Sequence, residues 1–153
     1  MTARTDTPLI WVVHGPNLNK LGGREPDVYG KETLDDINSA LQTEARKLKL
    51  RVETFQSNHE GALVERIQLA MENTRGLILN PAAYTHTSIA IRDALLLLEI
   101  PVIEVHLSNI YSREPFRHRS LVSDVVMGQI TGLGSDGYIL ALQALSRLLQ
   151  RSV

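Results

Sequence analysis

The stretch VIEVHLSNIYSREPFRH, residues 102–118, changes character partway along, and this change decides the fold. It begins as an apolar run directly after Pro101, which predicts a buried strand. It then becomes rich in ionisable and hydrogen-bonding side chains, as is typical of the carboxyl end of a parallel strand. Ligands of open α/β sheets bind at that end of the strands. The stretch therefore predicts a parallel sheet and marks its ligand-binding edge.

The first polar residues of this stretch predict a proton donor beside a seat for an anion. The period of a strand puts Glu104 and His106 on one face, where the carboxylate would fix the imidazole tautomer and favour its protonated form. Ser108 and Asn109 are typical helix-capping residues. We therefore expect free backbone N–H groups after His106 that could hold a small carboxylate.

The two arginines that follow add fixed positive charge. Arg113 and Arg117 are spaced so that they would share one face of a helix. The alternative interpretation of the whole stretch is a strand end followed by a charged loop in solvent. The combination of a carboxylate, an imidazole, an anion seat and two guanidinium groups favours a functional site.

Strand and helix patterns alternate along the rest of the chain. Apolar or alternating runs predict strands at residues 9–13, 51–57, 76–79, 101–106 and about 125–130. Helical periodicity predicts helices at residues 33–49, with Thr33 as the cap, and at 60–74, 86–99 and 138–151. This alternation predicts an α/β fold, a flavodoxin-like three-layer sandwich with a five-stranded parallel sheet in the order 2-1-3-4-5. We expect a flexible N-terminal tail at residues 1–8 and a single catalytic domain at residues 9–153.

The composition narrows the class of protein. The 153 residues carry a net charge of -1, so no global field would attract nucleic acid or an anionic membrane. The lack of cysteine excludes disulfides, thiolate metal sites and cysteine nucleophiles. The first residues lack the apolar core of a signal peptide, and the longest apolar run is far too short to span a membrane. We therefore expect a cytoplasmic protein with neither nucleic acid nor membrane as a partner.

Three strand ends are expected to converge on one crevice. In the predicted strand order the first, third and fourth strands lie side by side, so their carboxyl ends would bring Asn17, Asn80 and His106 together. The glycine-rich loop after the first strand is long enough to act as a lid, and it carries Arg24 and Tyr29. The crevice is therefore the predicted active site.

The residue types around the crevice favour proton transfer over other chemistries. No lysine lies in an apolar context, which argues against a Schiff base, and the five histidines lack the paired spacing of metal ligands. His106 with Glu104 would make a general acid. Tyr29 would make a base, because a guanidinium about 4 Å away stabilises a phenolate by roughly 4 kcal/mol at an effective dielectric constant of about 20.

Arg24 and Arg113 could both supply that stabilising charge to the phenolate. The alternative for Tyr29 is an aromatic side chain that merely packs the loop. A base on one side and an acid on the other suit the elimination of water from a hydroxy-ketone that carries a carboxylate, with an enolate held by an asparagine-bound water or a backbone N–H.

Four motifs carry a resemblance over residues 9–149, or nearly the whole chain. They are HGPNLNKLGGREPDVYG at 14–30, NPAAYTHTSIAIRDAL at 80–95, EVHLSNIYSREPFRH at 104–118 and GQITGLGSDGYILAL at 128–142. In this order and spacing the sequence resembles the type II 3-dehydroquinate dehydratases of the shikimate pathway. The resemblance implies a flavodoxin-like fold, no cofactor and dehydration of 3-dehydroquinate to 3-dehydroshikimate through an enolate. It also implies a homododecamer, a tetramer of trimers.

The resemblance implies a role for each catalytic residue. Tyr29 would be the base, with Arg24 and Arg113 stabilising its phenolate. His106 would be the general acid, oriented by Glu104. These implied roles agree with those suggested by the residue types alone.

Other residues would hold the substrate, again by resemblance. Asn17 would help to stabilise the enolate through a water molecule, and Leu107 and Ser108 would bind the substrate carboxylate. The residues that would hold the substrate hydroxyls are Asn80, His86 and Arg117.

The predicted helix at 86–99 is apolar on more faces than one sheet can cover, so part of it is expected to contact another subunit. Asp93 follows His86 by two helical turns, about 10.5 Å along the axis, so one substrate would not easily contact both. We expect Asp93 to reach a neighbouring subunit's crevice, as the resemblance also implies. The alternative is that Asp93 pairs with a nearby arginine such as Arg92 or lies at a solvated rim.

Two positions depart from the pattern of the family. Ala82 stands where many members have glycine, and alanine tolerates a positive φ poorly, so this turn is expected to differ slightly. Tyr111 stands where many members have histidine. Neither position has an implied catalytic role.

Three other classes of protein would share such a fold or crevice. A flavodoxin-type electron carrier needs a hydroxyl-rich phosphate loop and aromatic residues around its flavin, whereas aromatic content here is only 5%. A phosphorelay receiver needs an aspartate at the end of the third strand, where this chain has Asn80. A sugar-sensing module without catalysis would have no use for Tyr29 beside arginines.

Overall fold

The computed structural model describes residues 6–23 and 25–152. Five strands form one parallel sheet: β1 Leu9–His14, β2 Arg51–Gln56, β3 Gly76–Asn80, β4 Val102–His106 and β5 Gly128–Thr131. Their order across the sheet is β2-β1-β3-β4-β5. The predicted flavodoxin-like α/β fold is therefore confirmed.

Helices cover both faces of this sheet. The helices are α1 Pro26–Tyr29, α2 Leu34–Lys47, α3 Glu60–Asn73, α4 Ile89–Leu96 and α5 Asp136–Arg151. α2 and α5 pack on one face, and α3 and α4 pack on the other, whereas α1 belongs to the loop after β1. Within β1, Ile10 and Val12 join the first core and Trp11 and Val13 join the second. A strand buried on both faces has to be apolar throughout, which explains the continuous runs in the sequence.

A reciprocal cap starts α2 directly after the loop that carries Tyr29. The Thr33 hydroxyl accepts from the N–H of Asp36 at 3.1 Å, and the Asp36 carboxylate accepts from the N–H of Thr33 at 3.0 Å. The predicted helix cap at Thr33 is confirmed. It fixes one end of the loop to a rigid element.

The predicted helix at 86–99 is wrong in its bounds. The chain first forms a 3-10 helix, Ala82–His86, and α4 begins only after Ser88, whose hydroxyl accepts from a backbone N–H in the first turn of α4 at 2.9 Å. His86 and Asp93 therefore lie on different elements. The spacing of two turns along one helix therefore does not separate them, because α4 contains Asp93 but not His86.

The predicted helix shared by Arg113 and Arg117 is also wrong. Two separate 3-10 helices, Ile110–Ser112 and Pro115–Arg117, occupy this segment, and a proline opens the second because its ring is tolerated at a helix start. β5 begins later than predicted, and residues 125–127 lie before it.

Two predictions fall on residues outside the described ranges. The expected tail at 1–8 includes residues 1–5, and Arg24 lies between the two ranges. Within residues 6–23 and 25–152, no helix has the length and apolarity required to cross a membrane.

Candidate active site

A cleft lies at the carboxyl ends of β1, β3 and β4. The predicted site residues that line it are Asn17, Tyr29, Asn80, His86, His106, Leu107, Ser108, Arg113 and Arg117. The lining residues that sequence reasoning missed are Pro16, Leu18, Leu21, Ala82, Ala83 and Ile110. These six give no chemical signal in the sequence, because they are apolar residues that only the folded loops bring to the cleft. Glu104 lies directly behind His106.

Glu104 is a fully buried carboxylate on β4 that faces several donors. It accepts hydrogen bonds from His106 Nε2, from the hydroxyls of Thr85 and Ser120, and from Gln129 Nε2 at 3.1 Å. Burial raises the pKa of Glu104, but the hydrogen bond and charge of His106, with the two hydroxyls, outweigh burial and leave the pKa below its usual range. The group is therefore a carboxylate that orients the His106 ring.

Three of the residues that donate to Glu104 were not predicted from the sequence. Thr85, Ser120 and Gln129 lie on separate segments, so no local spacing connects them with Glu104. Gln129 is the one that strand register could have suggested, because β4 and β5 pair Glu104 with Gln129. The hydroxyls depend on loop paths that periodicity does not predict.

His86 faces His106 across the cleft. Their ring centroids are 6.5 Å apart with an interplanar angle of 19°. His86 Nδ1 donates to the carbonyl of Arg119 at 2.8 Å, which leaves Nε2 for a ligand. Burial lowers the pKa of His86 and outweighs the hydrogen bond to Arg119, which raises it, and the charges of His106 and Arg117 lower the pKa further.

Tyr29 ends α1 and meets a guanidinium from the other side of the cleft. Arg113 Nη1 donates to the Tyr29 oxygen at 2.9 Å, and the guanidinium carbon lies 5.2 Å from the ring centroid. The guanidinium therefore places a positive charge directly beside the phenol oxygen. The predicted Tyr29–Arg113 pair is present, whereas Arg24 lies outside the described residues.

The backbone after His106 offers less to an anion than predicted. Asn109 caps the next 3-10 helix by accepting from the N–H of Tyr111 at 3.1 Å, and the Thr131 hydroxyl accepts from the N–H of Ile110 at 3.2 Å. These two N–H groups are occupied. An anion at this turn is left with the earlier residues Leu107 and Ser108, both of which line the cleft.

Asn17 enters the cleft from a strained turn after β1. Its φ is 68°, in the left-handed region that asparagine tolerates better than most residues, and its N–H donates to Asn58 Oδ1 at 2.9 Å. Gly15 allows this turn to approach the end of β3, because a Cβ there would lie 2.5 Å from the carbonyl oxygen of Pro81. The two strand ends are thus held in contact.

Asp93 does not line the cleft of its own chain. It lies in a separate surface depression with Arg92 and Asp124. Arg92 makes a bidentate ion pair with Asp124. Among the described residues, no side chain or N–H group donates a hydrogen bond to the Asp93 carboxylate. Nor does the described part of the chain gather three or more His, Asp or Glu side chains that could hold a metal ion.

Fold and site together define a class: a flavodoxin-like α/β protein whose cleft pairs a tyrosine–arginine couple with a carboxylate-oriented histidine. The family model described as dehydroquinase class II matches residues 8–146. The chain therefore belongs to the class II dehydroquinase family.

Individual relatives agree with this assignment. The chain is 57% identical over 143 residues to the 3-dehydroquinate dehydratase of Acaryochloris marina (strain MBIC 11017). The aligned region covers 94% of this chain and 96% of that protein. The crystal structure of type II dehydroquinase from Propionibacterium acnes superposes with a TM-score of 0.89 at 47% identity, over 92% of this chain and 97% of that one. The type II dehydroquinase of Butyrivibrio crossotus DSM 2876 gives the same TM-score, 0.89, at 47% identity, over 90% and 97% of the two chains.

Proposed function

We propose that this protein is a 3-dehydroquinate dehydratase that converts 3-dehydroquinate to 3-dehydroshikimate by trans elimination of water through an enolate, in the shikimate pathway. The observation that carries the proposal is the common cleft lined by the Tyr29–Arg113 couple and by His106 with Glu104 behind it. Family membership supports the same reaction.

In the first step, Tyr29 as phenolate removes a proton next to the substrate carbonyl. Arg113 stabilises the phenolate, and we assign Arg24 the same role. The electron pair of the broken C–H bond moves onto the carbonyl oxygen, which gives an enolate. Asn17 stabilises that enolate through a water molecule.

In the second step, the enolate collapses and the hydroxyl group leaves. His106 protonates the departing oxygen, so the leaving group is water and the product is a conjugated enone. Glu104 keeps the imidazole oriented and balances its positive charge before the transfer. No step requires a cofactor, and we propose none.

The remaining lining residues hold the substrate. We assign Leu107 and Ser108 to the carboxylate, and Asn80, His86 and Arg117 to the hydroxyls. All five line the cleft.

The assay is direct. Purified protein supplied with 3-dehydroquinate should give the ultraviolet absorbance of the conjugated enone, and the rate should be unaffected by EDTA. Borohydride added with substrate should leave the enzyme active, because no imine forms. A rate that disappears with EDTA and returns with a divalent metal, or inactivation by borohydride, would contradict the proposed reaction.

We also propose that the active unit is a homododecamer, a tetramer of trimers, in the cytoplasm, and that residues 9–153 form one catalytic domain. In this assembly Asp93 would complete a neighbouring subunit's site. The position of Asp93 outside its own cleft supports a role in a neighbouring subunit. Tyr29→Phe and Asp93→Asn variants that are each nearly inactive should recover part of the activity when dissociated and reassembled together. A mixture that stays inactive despite proven subunit exchange would place Asp93 in its own chain.

A further inference from the structure

A chain of buried hydrogen bonds leads from the cleft into the core between α2 and α5. Asn80 Nδ2 lies 2.9 Å from the Tyr138 oxygen, which lies 2.9 Å from His14 Nδ1, and His14 Nε2 lies 2.8 Å from Asn38 Oδ1. Tyr138 and His14 are fully buried. Only Asn80 lines the cleft, so the mechanism above uses none of the other three directly.

The direction of every hydrogen bond in this network follows from the two asparagine amides at its ends. Asn80 Oδ1 accepts from the N–H of Ala82 at 3.0 Å, so the amide nitrogen is the atom that donates to the Tyr138 oxygen. At the other end, Asn38 Oδ1 can only accept, so His14 Nε2 carries the ring proton and donates to it, and the unprotonated Nδ1 of the neutral ring accepts the phenol proton of Tyr138. Only one histidine tautomer satisfies all four residues.

Burial keeps this chain uncharged. Burial lowers the pKa of His14 to about 4, with the Asn38 hydrogen bond opposing it only in part, and burial raises the pKa of Tyr138 well above its usual range. Neither side chain changes protonation near neutral pH, so the polarity of the hydrogen bonds is fixed. A phenylalanine at Tyr138 would fill nearly the same space, so packing alone does not require the hydroxyl.

These bonds determine what Asn80 presents to a ligand. Its oxygen is occupied by Ala82 and one amide hydrogen by Tyr138, whereas its second amide hydrogen has no partner in the described part of the chain. We propose that Tyr138 and His14 are positioning residues that hold Asn80 as a hydrogen-bond donor toward an oxygen of the substrate. This inference rests on the proposed function, in which Asn80 binds a substrate hydroxyl.

The first test is Tyr138→Phe, assayed with 3-dehydroquinate. The variant removes one of the two hydrogen bonds that hold the Asn80 amide. KM should therefore rise about tenfold, which corresponds to the free energy of one neutral hydrogen bond. The value of kcat should change by less than about threefold. Thr74→Val is the matched control, because it also removes a buried hydroxyl hydrogen bond, at the opposite end of β3. A merely structural role would lower stability in both variants and leave KM unchanged in both.

A double-mutant cycle separates positioning from general damage. In an Asn80→Ala background, Tyr138→Phe should raise KM no further, because the residue through which it acts is gone. An equal rise in both backgrounds, or an unchanged KM in Tyr138→Phe alone, would overturn the inference.

A second pair of variants covers the case in which Asn80→Ala does not fold. His14→Leu removes the acceptor for the Tyr138 proton and should raise KM, whereas His14→Asn keeps an acceptor oxygen near the Nδ1 position and should restore KM toward the wild-type value. Equal KM values for the two variants would overturn the inference. No turnover by the wild-type enzyme would instead overturn the proposed function, and this inference with it.

Discussion

The two sides of the cleft are built differently. On the sheet side, Asn80, Glu104 and His106 are 2%, 0% and 5% exposed. Glu104 accepts hydrogen bonds from three other segments and from His106, and Asn80 is hydrogen-bonded to Tyr138 of α5. On the loop side, Tyr29 ends a four-residue helix, and Val28 beside it is 39% exposed. The proposed acid, His106, is therefore preorganised by the core, whereas the proposed base, Tyr29, lies on a short and more exposed helix. Short, exposed segments open at a lower cost in free energy than elements of the core.

This difference predicts that substitutions on the loop side change activity alone, and that substitutions on the sheet side change stability as well. The largest expected effect is that of Tyr29→Phe. Loss of the base should lower kcat by about 10²–10⁴-fold, with the unfolding midpoint unchanged because the ring is retained. Urea unfolding and steady-state kinetics check both values. Tyr111→Phe, at a tyrosine 54% exposed, is the matched control and should keep full activity.

Glu104→Gln should affect both properties. Every hydrogen-bond partner of the Glu104 carboxylate is a donor, so the amide N–H₂ of glutamine would face another donor. The substitution would also leave His106 without its counter-charge. We expect kcat to fall about 10²-fold and the unfolding free energy to fall by about 3 kcal/mol.

The loss of stability in Glu104→Gln should also depend on pH. The folded-state pKa of Glu104 is depressed, so its stabilising effect is present above the unfolded-state pKa and is lost as pH falls through the folded-state value. The unfolding free energies of the wild-type protein and the variant should therefore become similar at acidic pH. An activity loss with unchanged stability would break the contrast between the two sides of the cleft.

His14 should make the sheet side sensitive to acid in a higher pH window. Its folded-state pKa is about 4, against an ordinary value of 6.5, so the unfolded chain takes up a proton first as pH falls. The unfolding free energy should decline between about pH 6.5 and 4, by up to about 3 kcal/mol in total. His14→Asn does not titrate and should lose this part of the decline. Denaturant titrations at several pH values test it.

The smallest expected effect is a gain in stability at Ala82. This residue has a φ of 51°, in the left-handed region that alanine tolerates poorly. Ala82→Gly should relieve this strain, and after the entropy cost of glycine the net gain should be about 1 kcal/mol. Thermal unfolding measures the gain. Ala83→Gly, at the next residue of the same 3-10 helix and without a positive φ, is the control and should not stabilise the protein.

The sequence by itself determined the features that repeat locally. The alternation of strand and helix patterns gave the sheet order, the two-residue period gave the Glu104–His106 pair, and the residue types around Thr33 gave the start of α2. Each depends on backbone geometry within one element, or on the rule that parallel strand ends share an edge. The sequence also indicated which strand ends meet, but not which side chains touch there.

The tertiary structure alone decided the contacts between distant segments. Arg113 meets Tyr29 across 84 residues, and His14 meets Tyr138 across 124 residues. Such pairs depend on loop paths and on how each helix lies against the sheet, and no local period encodes these. The start of α4 after Ser88 was also missed from the sequence. Helical periodicity does not show that the Ser88 side chain caps a helix here and so ends the preceding segment. Local spacing therefore predicted the Glu104–His106 pair, and long-range packing determined what holds His106, Tyr29 and Asn80 in place.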